Sequence, residues 1–378
     1  MKKHMLTFAS YLLVATLSAF LALQFAPEQG KLSQLEGLIE ERFIGEAETK
    51  KLEDAAAAAM VSATGDRWSY YMSAEEYESY RDQVDNSYVG IGVTIQLERE
   101  EGYRIIEVAA TGPAAEAGIQ VGDLLVEVED QSIRDMEITA VRGLVKGKEG
   151  TYVKLRLLRK GEMISASVER RKVETPVATF EMLENNVGLV SIENFDSRCA
   201  GESIAAIETL LSQGAEAIIF DVRNNPGGYA DELVELLDYL LPEGDLFRTV
   251  RYDGKEHVDT SDAECVKLPM AVLINSRSYS AAEFFAAAMA EYDAAIVIGQ
   301  QTVGKGYFQT TYPLKDGSAV ALSIGKYFTP NGVSLAEEGG LTPEILIELD
   351  EETDSALYYG TLSREDDPHI QAAIKKLT

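Results

Sequence analysis

The chain has 378 residues, 46% of them hydrophobic, which is enough for two or three domains with substantial cores. Against 34 lysines and arginines stand 63 acidic residues, a formal charge of −29. A surface this acidic repels nucleic acid and anionic lipid headgroups, which argues against nucleic-acid binding.

The N-terminus reads as a targeting segment. Lys2 and Lys3 precede an uncharged, mainly apolar run at residues 5–26. At about 1.5 Å per helical residue, such a run just crosses a hydrocarbon core of about 30 Å. We predict a single-pass membrane anchor at residues 1–26, with the lysines in the cytoplasm and the remaining chain outside it. The alternative is a cleaved signal peptide, although the run ends without a clean small-residue cleavage pattern.

Residues 27–87 are predicted to form an N-terminal helical region. Apolar residues recur at helical spacing and an alanine run follows, which predicts a helix over 31–60. Ser73 and Glu76 form a capping signal for a second helix, from residue 75 to about 84. Five aromatic residues cluster here, and we interpret them as packing against the next domain. They are Trp68, Tyr70, Tyr71, Tyr77 and Tyr80.

Residues 88–172 switch to alternating apolar positions, short strands and glycine turns, which predicts a small, partly open β-barrel. The region opens on Gly90, Ile91, Gly92 and Val93. A Gly-x-Gly before a strand exposes backbone N–H groups, which can hold the C-terminal carboxylate of a peptide while the strand pairs with it. An ordinary glycine-rich strand entry explains the same residues.

Residues 173–350 alternate strands and helices, the pattern of an α/β domain. The predicted strands are 187–192, 217–222, 270–274 and 295–299, and the predicted helices are 200–212, 229–241 and 280–292. Residues 351–378 are predicted to be a polar tail ending in one amphipathic helix.

Three residues at fixed spacing in the last third of the chain suggest nucleophilic catalysis: Ser280, Lys305 and Gln309. The chain has three histidines, of which His4 lies in the N-terminal segment and the other two lie in polar stretches. A serine hydrolase without a placed histidine needs another general base, and a buried lysine can serve.

Ser280 stands at the predicted start of a helix, whose free N–H groups and positive dipole end suit a developing oxyanion. The N–H of Ala281 is the natural first donor. The competing explanation is a capping box, in which Ser280 caps the helix and Glu283 returns the bond.

A glycine turn, Asp221 to Gly228, ends an apolar strand. Gly227 or Gly228 could supply the second oxyanion donor, because glycine lets the backbone approach a substrate closely. Asn-Pro-Gly-Gly is also ordinary turn chemistry, so the turn alone leaves both explanations open.

Lys305 can act as a base only if burial lowers its pKa far below about 10.4. Gln309 is uncharged, so it could orient the amine without favouring the charged form. Cys199 and Cys265 could pair outside the cytosol, but two free thiols explain the sequence as well.

Together these motifs resemble the carboxyl-terminal processing proteases, the PDZ-containing serine–lysine peptidases of family S41. The resemblance runs from about residue 66 to 348. It rests on the segments 66–77, 90–93, 112–123, 221–228, 326–332 and 340–344, and on Ser280, Lys305 and Gln309, which fall on the family's nucleophile, base and orienting residue.

Two departures from the family pattern stand out. The serine segment is commonly Ser-Ala-Ser-Ala-Ser-Glu, whereas here it reads Ser-Tyr-Ser-Ala-Ala-Glu, so the bulky Tyr279 replaces alanine beside the nucleophile. Lys146 stands where the family often has an arginine in its PDZ domain, which could alter the coupling between PDZ domain and protease.

The resemblance implies a multidomain α+β chain: an N-terminal helical segment, a β-barrel-like PDZ domain at 88–172 and a crotonase/ClpP-like α/β protease core at 173–350. It implies a serine endopeptidase that cleaves near protein C-termini, with a PDZ domain that recognises the tail and gates activity. Substrates with free, apolar C-termini and a homodimer are expected, and no metal or organic cofactor. The alternatives are a catalytically silent peptide-binding scaffold and an acyl-CoA enzyme of the crotonase type.

Overall fold

The computed structural model describes residues 30–98 and 101–378. The predicted anchor at residues 1–26 lies outside these ranges. Within them, no helix combines the length and apolar character needed to cross a membrane.

The N-terminal region contains three helices and one strand. They are α1 (Lys31–Arg42), α2 (Thr49–Ser62), β1 (Tyr70–Met72) and α3 (Ala74–Val84). The prediction of one helix over 31–60 is wrong, because Phe43 and Glu48 take extended conformations around Gly45, whose helix propensity is about 1 kcal/mol below that of alanine. The capping signal is confirmed: Ser73 Oγ accepts from Glu76 N–H at 3.4 Å, and the Glu76 carboxylate accepts from Ser73 N–H at 2.8 Å.

The β-rich region is a small domain built on an antiparallel sheet in the order β3-β4-β5-β7-β8, with β6 paired to β5. Strands β2 and β9 pair with each other at its entry and exit. Its elements are β2 (Ser87–Gly90), β3 (Val93–Glu98), β4 (Gly102–Val108), α4 (Pro113–Glu116), β5 (Leu124–Val128), β6 (Gln131–Ser132), α5 (Ile138–Val145), β7 (Tyr152–Arg159), β8 (Glu162–Glu169) and β9 (Arg171–Glu174). Because β3 lies at the edge of the sheet, one of its sides is free to pair with a further strand.

The α/β domain has two sheets. Its elements are β10 (Ala178–Met182), a 3₁₀ turn (Glu184–Asn186), β11 (Val187–Ile192), α6 (Cys199–Ser212), β12 (Ala217–Asp221), α7 (Ala230–Leu240), β13 (Gly244–Arg251), β14 (Glu256–Ser261), β15 (Met270–Ile274), α8 (Ala281–Glu291), β16 (Ala295–Gly299), β17 (Tyr307–Pro313), β18 (Ala319–Phe328), α9 (Leu335–Glu338) and β19 (Ile345–Leu346). Each strand and helix predicted between residues 187 and 299 is confirmed to within a residue at each end, whereas β13 and β14, which lie between α7 and β15, were not predicted.

The main sheet has the order β10-β11-β12-β15-β16-β19 and is parallel from β11 onward. Since β12 and β15 are parallel neighbours, the turns that follow their carboxyl ends meet at one edge. The second sheet, β1-β18-β13-β14 with β17 on β18, is antiparallel, and β1 ties the N-terminal region to it.

The C-terminal residues form helices α10 (Glu351–Tyr358) and α11 (Pro368–Leu377). The amphipathic helix predicted at the end of the tail is confirmed as α11, whereas α10 was not predicted and α11 is not part of a solvent-exposed tail. Helix α11 packs in an apolar cluster with the main sheet, burying Ile370, Ala373 and Ile374. Its N-cap, Asp367, is buried and receives hydrogen bonds from Arg223 in the turn after β12. The C-terminal helix is therefore part of the core.

The two cysteines are free thiols. Cys199 is buried at the start of α6, and this burial raises the pKa of its thiol. A buried thiol of raised pKa is a poor nucleophile, so we interpret Cys199 as a packing residue of the core.

Candidate active site

Two turns meet at the carboxyl edge of the main sheet, one after β12 and one after β15. Asn224 N–H donates to Asn275 Oδ1 at 2.9 Å, and Asn275 Nδ2 donates back to Asn224 Oδ1 at 2.9 Å. The N–H of Tyr279 donates to the carbonyl oxygen of Asn225 at 3.1 Å. These bonds fix the glycine turn against the segment that carries Ser280.

Ser280 immediately precedes α8 with φ 59° and ψ −127°, a conformation that side chains rarely adopt. Such a residue costs about 1–3 kcal/mol and is typical of active-site turns. The hydroxyl accepts a hydrogen bond from Tyr327 Oη at 3.2 Å. The predicted capping-box arrangement of Ser280 and Glu283 is present, with Glu283 accepting from Ser280 N–H at 2.9 Å, so the same hydroxyl faces both the start of α8 and Tyr327.

The glycine turn presses against Ser280. A Cβ atom on Gly227 would lie 2.6 Å from Ser280 Cβ and 2.8 Å from the backbone nitrogen of Ala281, and its φ is 89°. Only glycine fits this contact. The N–H of Gly227 donates to Asn225 Oδ1 at 2.8 Å, whereas within the described ranges the N–H groups of Gly228 and Ala281 have no acceptor. Of the two predicted glycine donors, Gly228 is the one still available for an oxyanion.

Glu283 holds the nucleophile and base segments together. Its side chain is fully buried and accepts the backbone N–H of Ser280 at 2.9 Å, of Gly304 at 2.6 Å and of Lys305 at 3.0 Å. The hydroxyl of Thr302 donates to the same carboxylate. Four donors satisfy this buried charge without a cation, so a single side chain sets the spacing of the serine and lysine backbones.

Lys305 is half-buried beside Ser280's turn. Burial lowers the pKa of its amine to about 8, against the opposing charges of Glu283 and Asp66. Nζ lies 5.0 Å from the ring centroid of Trp68 and 5.8 Å from that of Tyr279. An amine with this pKa is partly neutral just above physiological pH, as a general base requires.

The predicted triplet is gathered in one region but is not linked by hydrogen bonds. Among the described residues, no such bond joins Ser280 to Lys305 or Lys305 to Gln309. The Gln309 amide donates instead to the Tyr307 carbonyl oxygen and to Ser323 Oγ, both at 3.0 Å. The expected orienting contact from Gln309 to the amine is therefore not made in this state.

The two described histidines lie in other surroundings. His257 is exposed and contacts Asp259 at 3.0 Å. His369 is fully buried, against the expectation from its polar stretch, and bonds to the Ile347 carbonyl oxygen at 2.9 Å. Burial lowers the pKa of His369, so it stays neutral in the core. Neither ring hydrogen-bonds to Ser280.

Sequence reasoning missed two residues of the site. Tyr327 reaches Ser280 from β18, although the sequence shows only that it lies in a strand-like segment. Trp68 reaches Lys305 across 237 residues of chain (305 − 68), and nothing in the local pattern of the aromatic cluster distinguishes it from its packing neighbours. Elsewhere in the cluster, Tyr77 stacks on Tyr80 with ring centroids 6.3 Å apart, a contact within α3 and not one with the next domain.

The predicted carboxylate-binding loop joins β2 to the edge strand β3. Gly92 has φ 76°, and a Cβ there would lie 3.1 Å from Ala109 Cβ, so the turn requires glycine. Ile91 is buried in the domain core, and its carbonyl oxygen accepts from Ala114 N–H at 2.9 Å. Lys146, the second departure from the family pattern, lies over the ring of Tyr88 at 5.9 Å, directly before this loop.

Comparison with protein families gives two matches. The model of peptidase family S41 matches residues 186–347, and a PDZ domain model matches residues 104–159. The first range lies within the α/β domain, and the second lies within the β-rich domain, of which it covers the central part from β4 to β7.

Comparison with individual proteins points the same way. The carboxy-terminal processing protease CtpA of Bacillus subtilis is 33% identical over 323 residues, covering 84% of this chain and 69% of that protein. A Staphylococcus epidermidis protein assigned as a CtpA-like serine protease is 33% identical over 301 residues, and the match covers 79% of this chain but 61% of that protein. A solved structure from Bacteroides fragilis, assigned to the S41 proteases, shares the fold with a TM-score of 0.57 at 18% identity, over 93% of this chain and 98% of that one.

Proposed function

This chain belongs to peptidase family S41, the serine-type peptidases that include the carboxy-terminal processing proteases, and we propose that it is an endopeptidase that cleaves near protein C-termini with Ser280 as nucleophile and Lys305 as base. One observation carries the proposal. A serine in a strained turn at a helix start shares the Glu283 scaffold with a half-buried lysine whose pKa burial lowers to about 8.

In the first step, Ser280 Oγ attacks the scissile carbonyl carbon and its proton passes to neutral Lys305. The N–H groups of Ala281 and Gly228 stabilise the oxyanion. The C–N bond then breaks, and Lys305 returns the proton to the leaving amine, which leaves an acyl ester on Ser280. Gln309 would orient the amine once the triplet closes.

In the second step, water attacks the acyl ester. Lys305 takes a proton from the water and delivers it to Ser280 Oγ as the ester bond breaks, which releases the new C-terminus and restores the enzyme. The Tyr327 hydroxyl donates a hydrogen bond to Ser280 Oγ, which leaves the serine's own proton available for transfer to Lys305.

The PDZ domain would select the substrate. A free tail would pair with the open side of β3, and its carboxylate would bind the N–H groups of the loop at Gly90, Ile91, Gly92 and Val93. Apolar tails fit because the apolar core of this domain reaches the β3 side chains of Val93 and Ile95.

We also propose a membrane location and a homodimer for this chain. The apolar run at residues 5–26 would anchor the chain with its catalytic part outside the cytoplasm. Helix α1 exposes Leu32, Leu35 and Leu38, which would suit a homodimer contact. The silent-scaffold alternative is disfavoured because the serine, the two N–H donors and the lysine of lowered pKa that the proposed reaction needs are all present.

The proposal predicts a strong dependence on a free substrate carboxylate. A folded test protein with an unstructured apolar tail should be cleaved about 10- to 100-fold faster, as kcat/KM, than the same protein with an amidated C-terminus, because the amide loses a charge-assisted bond to backbone N–H groups. Quantitative gel and mass analysis of both substrates would measure the ratio. Equal rates would contradict PDZ selection, and cleavage of neither would contradict the proposed activity.

A further inference from the structure

Lys305 lies beside a stacked pair of aromatic rings. Nζ lies 5.0 Å from the Trp68 centroid and 5.8 Å from the Tyr279 centroid, both within the roughly 6 Å range of cation–π attraction. The rings themselves stack at 6.2 Å with planes 27° apart. Among the described residues, no group hydrogen-bonds to this amine. The two ring contacts are therefore its specific side-chain contacts.

Both rings are anchored by neighbouring segments. Asp66 Oδ1 accepts from Trp68 N–H at 3.1 Å, and Ser69 joins the same segment to β18 by accepting from Ser323 N–H at 2.9 Å. Tyr279 is tied to the glycine turn through its backbone N–H. Tyr279 is also the residue at which the serine segment departs from the family pattern.

The charges around the amine act in opposite directions. Burial favours the neutral amine, whereas Glu283 on α8 and Asp66 beside Trp68 favour the charged form. Arg67 also lies over the Trp68 ring, with its guanidinium carbon 4.2 Å from the ring centroid. Burial raises the pKa of the Tyr279 phenol, as does the nearby charge of Asp196, so the ring faces Lys305 as a neutral phenol.

We propose that Trp68 and Tyr279 are positioning residues that form an aromatic cage, which holds the Lys305 amine off Ser280 and favours its protonated form. The inference rests on the proposed role of Lys305 as the base. An aromatic face attracts ammonium and gives nothing comparable to a neutral amine. Deprotonation of the base therefore requires a higher pH with the cage than without it. The cage makes the enzyme slow at neutral pH, and movement of the segment that carries Trp68 would release the base.

The pH dependence of the reaction reports the protonation state of Lys305. The reaction needs neutral Lys305, so activity rises as the pH passes upward through its pKa. Replacing a ring by leucine keeps an apolar side chain beside the amine and removes the attraction to the π-face. The midpoint of the rise should then move to lower pH, by about 0.4–0.7 units for each ring.

The test compares Tyr279→Leu and Trp68→Leu with the ring-preserving Tyr279→Phe and Trp68→Phe in the full chain. The pH dependence of kcat/KM gives one midpoint. The pH dependence of Lys305 modification by dinitrofluorobenzene, read by peptide mass spectrometry in a Ser280→Ala background, gives a second midpoint that needs no peptidase activity.

The cage predicts lower midpoints for both leucine variants, and midpoints for both phenylalanine variants that stay with the parent. Unchanged or raised midpoints in the leucine variants, or equal shifts in the phenylalanine variants, would overturn it. A parent that lacks peptidase activity but shows the modification shift would support the cage and reject the proposed function, so the two failures are distinguishable.

Discussion

Ser280→Ala should lower kcat/KM for an apolar-tailed protein by about 10⁴- to 10⁶-fold, the loss expected when a catalytic nucleophile is removed. No other side chain should take its place, because the proposed oxyanion donors, the N–H groups of Ala281 and Gly228, would act on a carbonyl attacked by this residue. Stability should fall by no more than about 1 kcal/mol, the typical cost of losing a serine side chain at a helix cap, because the bond from Ser280 N–H to Glu283 is kept. The measurement is a steady-state cleavage assay, with thermal unfolding as the check on folding.

The matched control is Ser276→Ala, the same substitution at an exposed position of the same turn. It should keep kcat/KM within about twofold of the parent, because surface changes away from special contacts have small effects. Ser280→Ala activity within tenfold of the parent would show that the serine is a helix cap and not a nucleophile.

Arg223→Met should lower the free energy of unfolding of the α/β domain by about 3–5 kcal/mol, the cost of leaving buried carboxylates unpaired. Arg223 Nη2 lies 2.6 Å from Asp221 Oδ2 and 2.8 Å from Asp367 Oδ2. The Arg223 and Asp367 side chains are 1% exposed and that of Asp221 is 11% exposed. Urea unfolding followed by near-ultraviolet circular dichroism would measure the loss.

The control and the pH dependence separate this effect from general surface electrostatics. Arg248→Met removes exposed ion pairs to Asp245 and Glu256 and should cost at most about 1 kcal/mol. Burial alone would raise the pKa of Asp221, but the Arg223 guanidinium holds it below its usual value.

The parent protein therefore has this stabilisation above the ordinary aspartate pKa and loses it as the pH falls through the lowered one. In Arg223→Met the carboxylates protonate at higher pH, so the deficit should shrink on mild acidification. A loss below 1 kcal/mol at neutral pH would contradict the buried-charge account.

The sequence predicts the parallel sheet well because each strand is a continuous apolar run bounded by turns, as at residues 187–192 and 270–274. It also identifies Ser280, Lys305 and the glycine turn, whose local chemistry is distinctive. Most of the strand β18 was not predicted from local pattern, since buried and partly buried positions follow one another irregularly along Ala319–Phe328. Helix α11 was predicted as an amphipathic helix, but its place in the core was not, because the burial of its N-cap Asp367 depends on Arg223, 144 residues earlier in the chain.

Other parts of the site depend on long-range contacts that no local pattern records. Trp68 and Tyr327 come from segments far from Ser280 along the chain, and either would pass for a packing aromatic. The hydrogen bond from Gly227 N–H to the Asn225 side chain depends on the backbone conformation of the turn. Glu283 was recognisable as a capping residue, but its bonds to Gly304 and Lys305 appear only when the two segments are brought together.

The central claim is that Ser280 is a nucleophile activated by Lys305, and covalent labelling by a fluorophosphonate probe tests it most directly. In the parent, the labelling rate of Ser280 should rise as the pH increases through about 8, because burial lowers the pKa of Lys305 to about 8. Lys305→Met should lose about 10²- to 10⁴-fold in rate together with that pH dependence. Equal labelling of parent and Lys305→Met, with the same pH profile, would contradict the account.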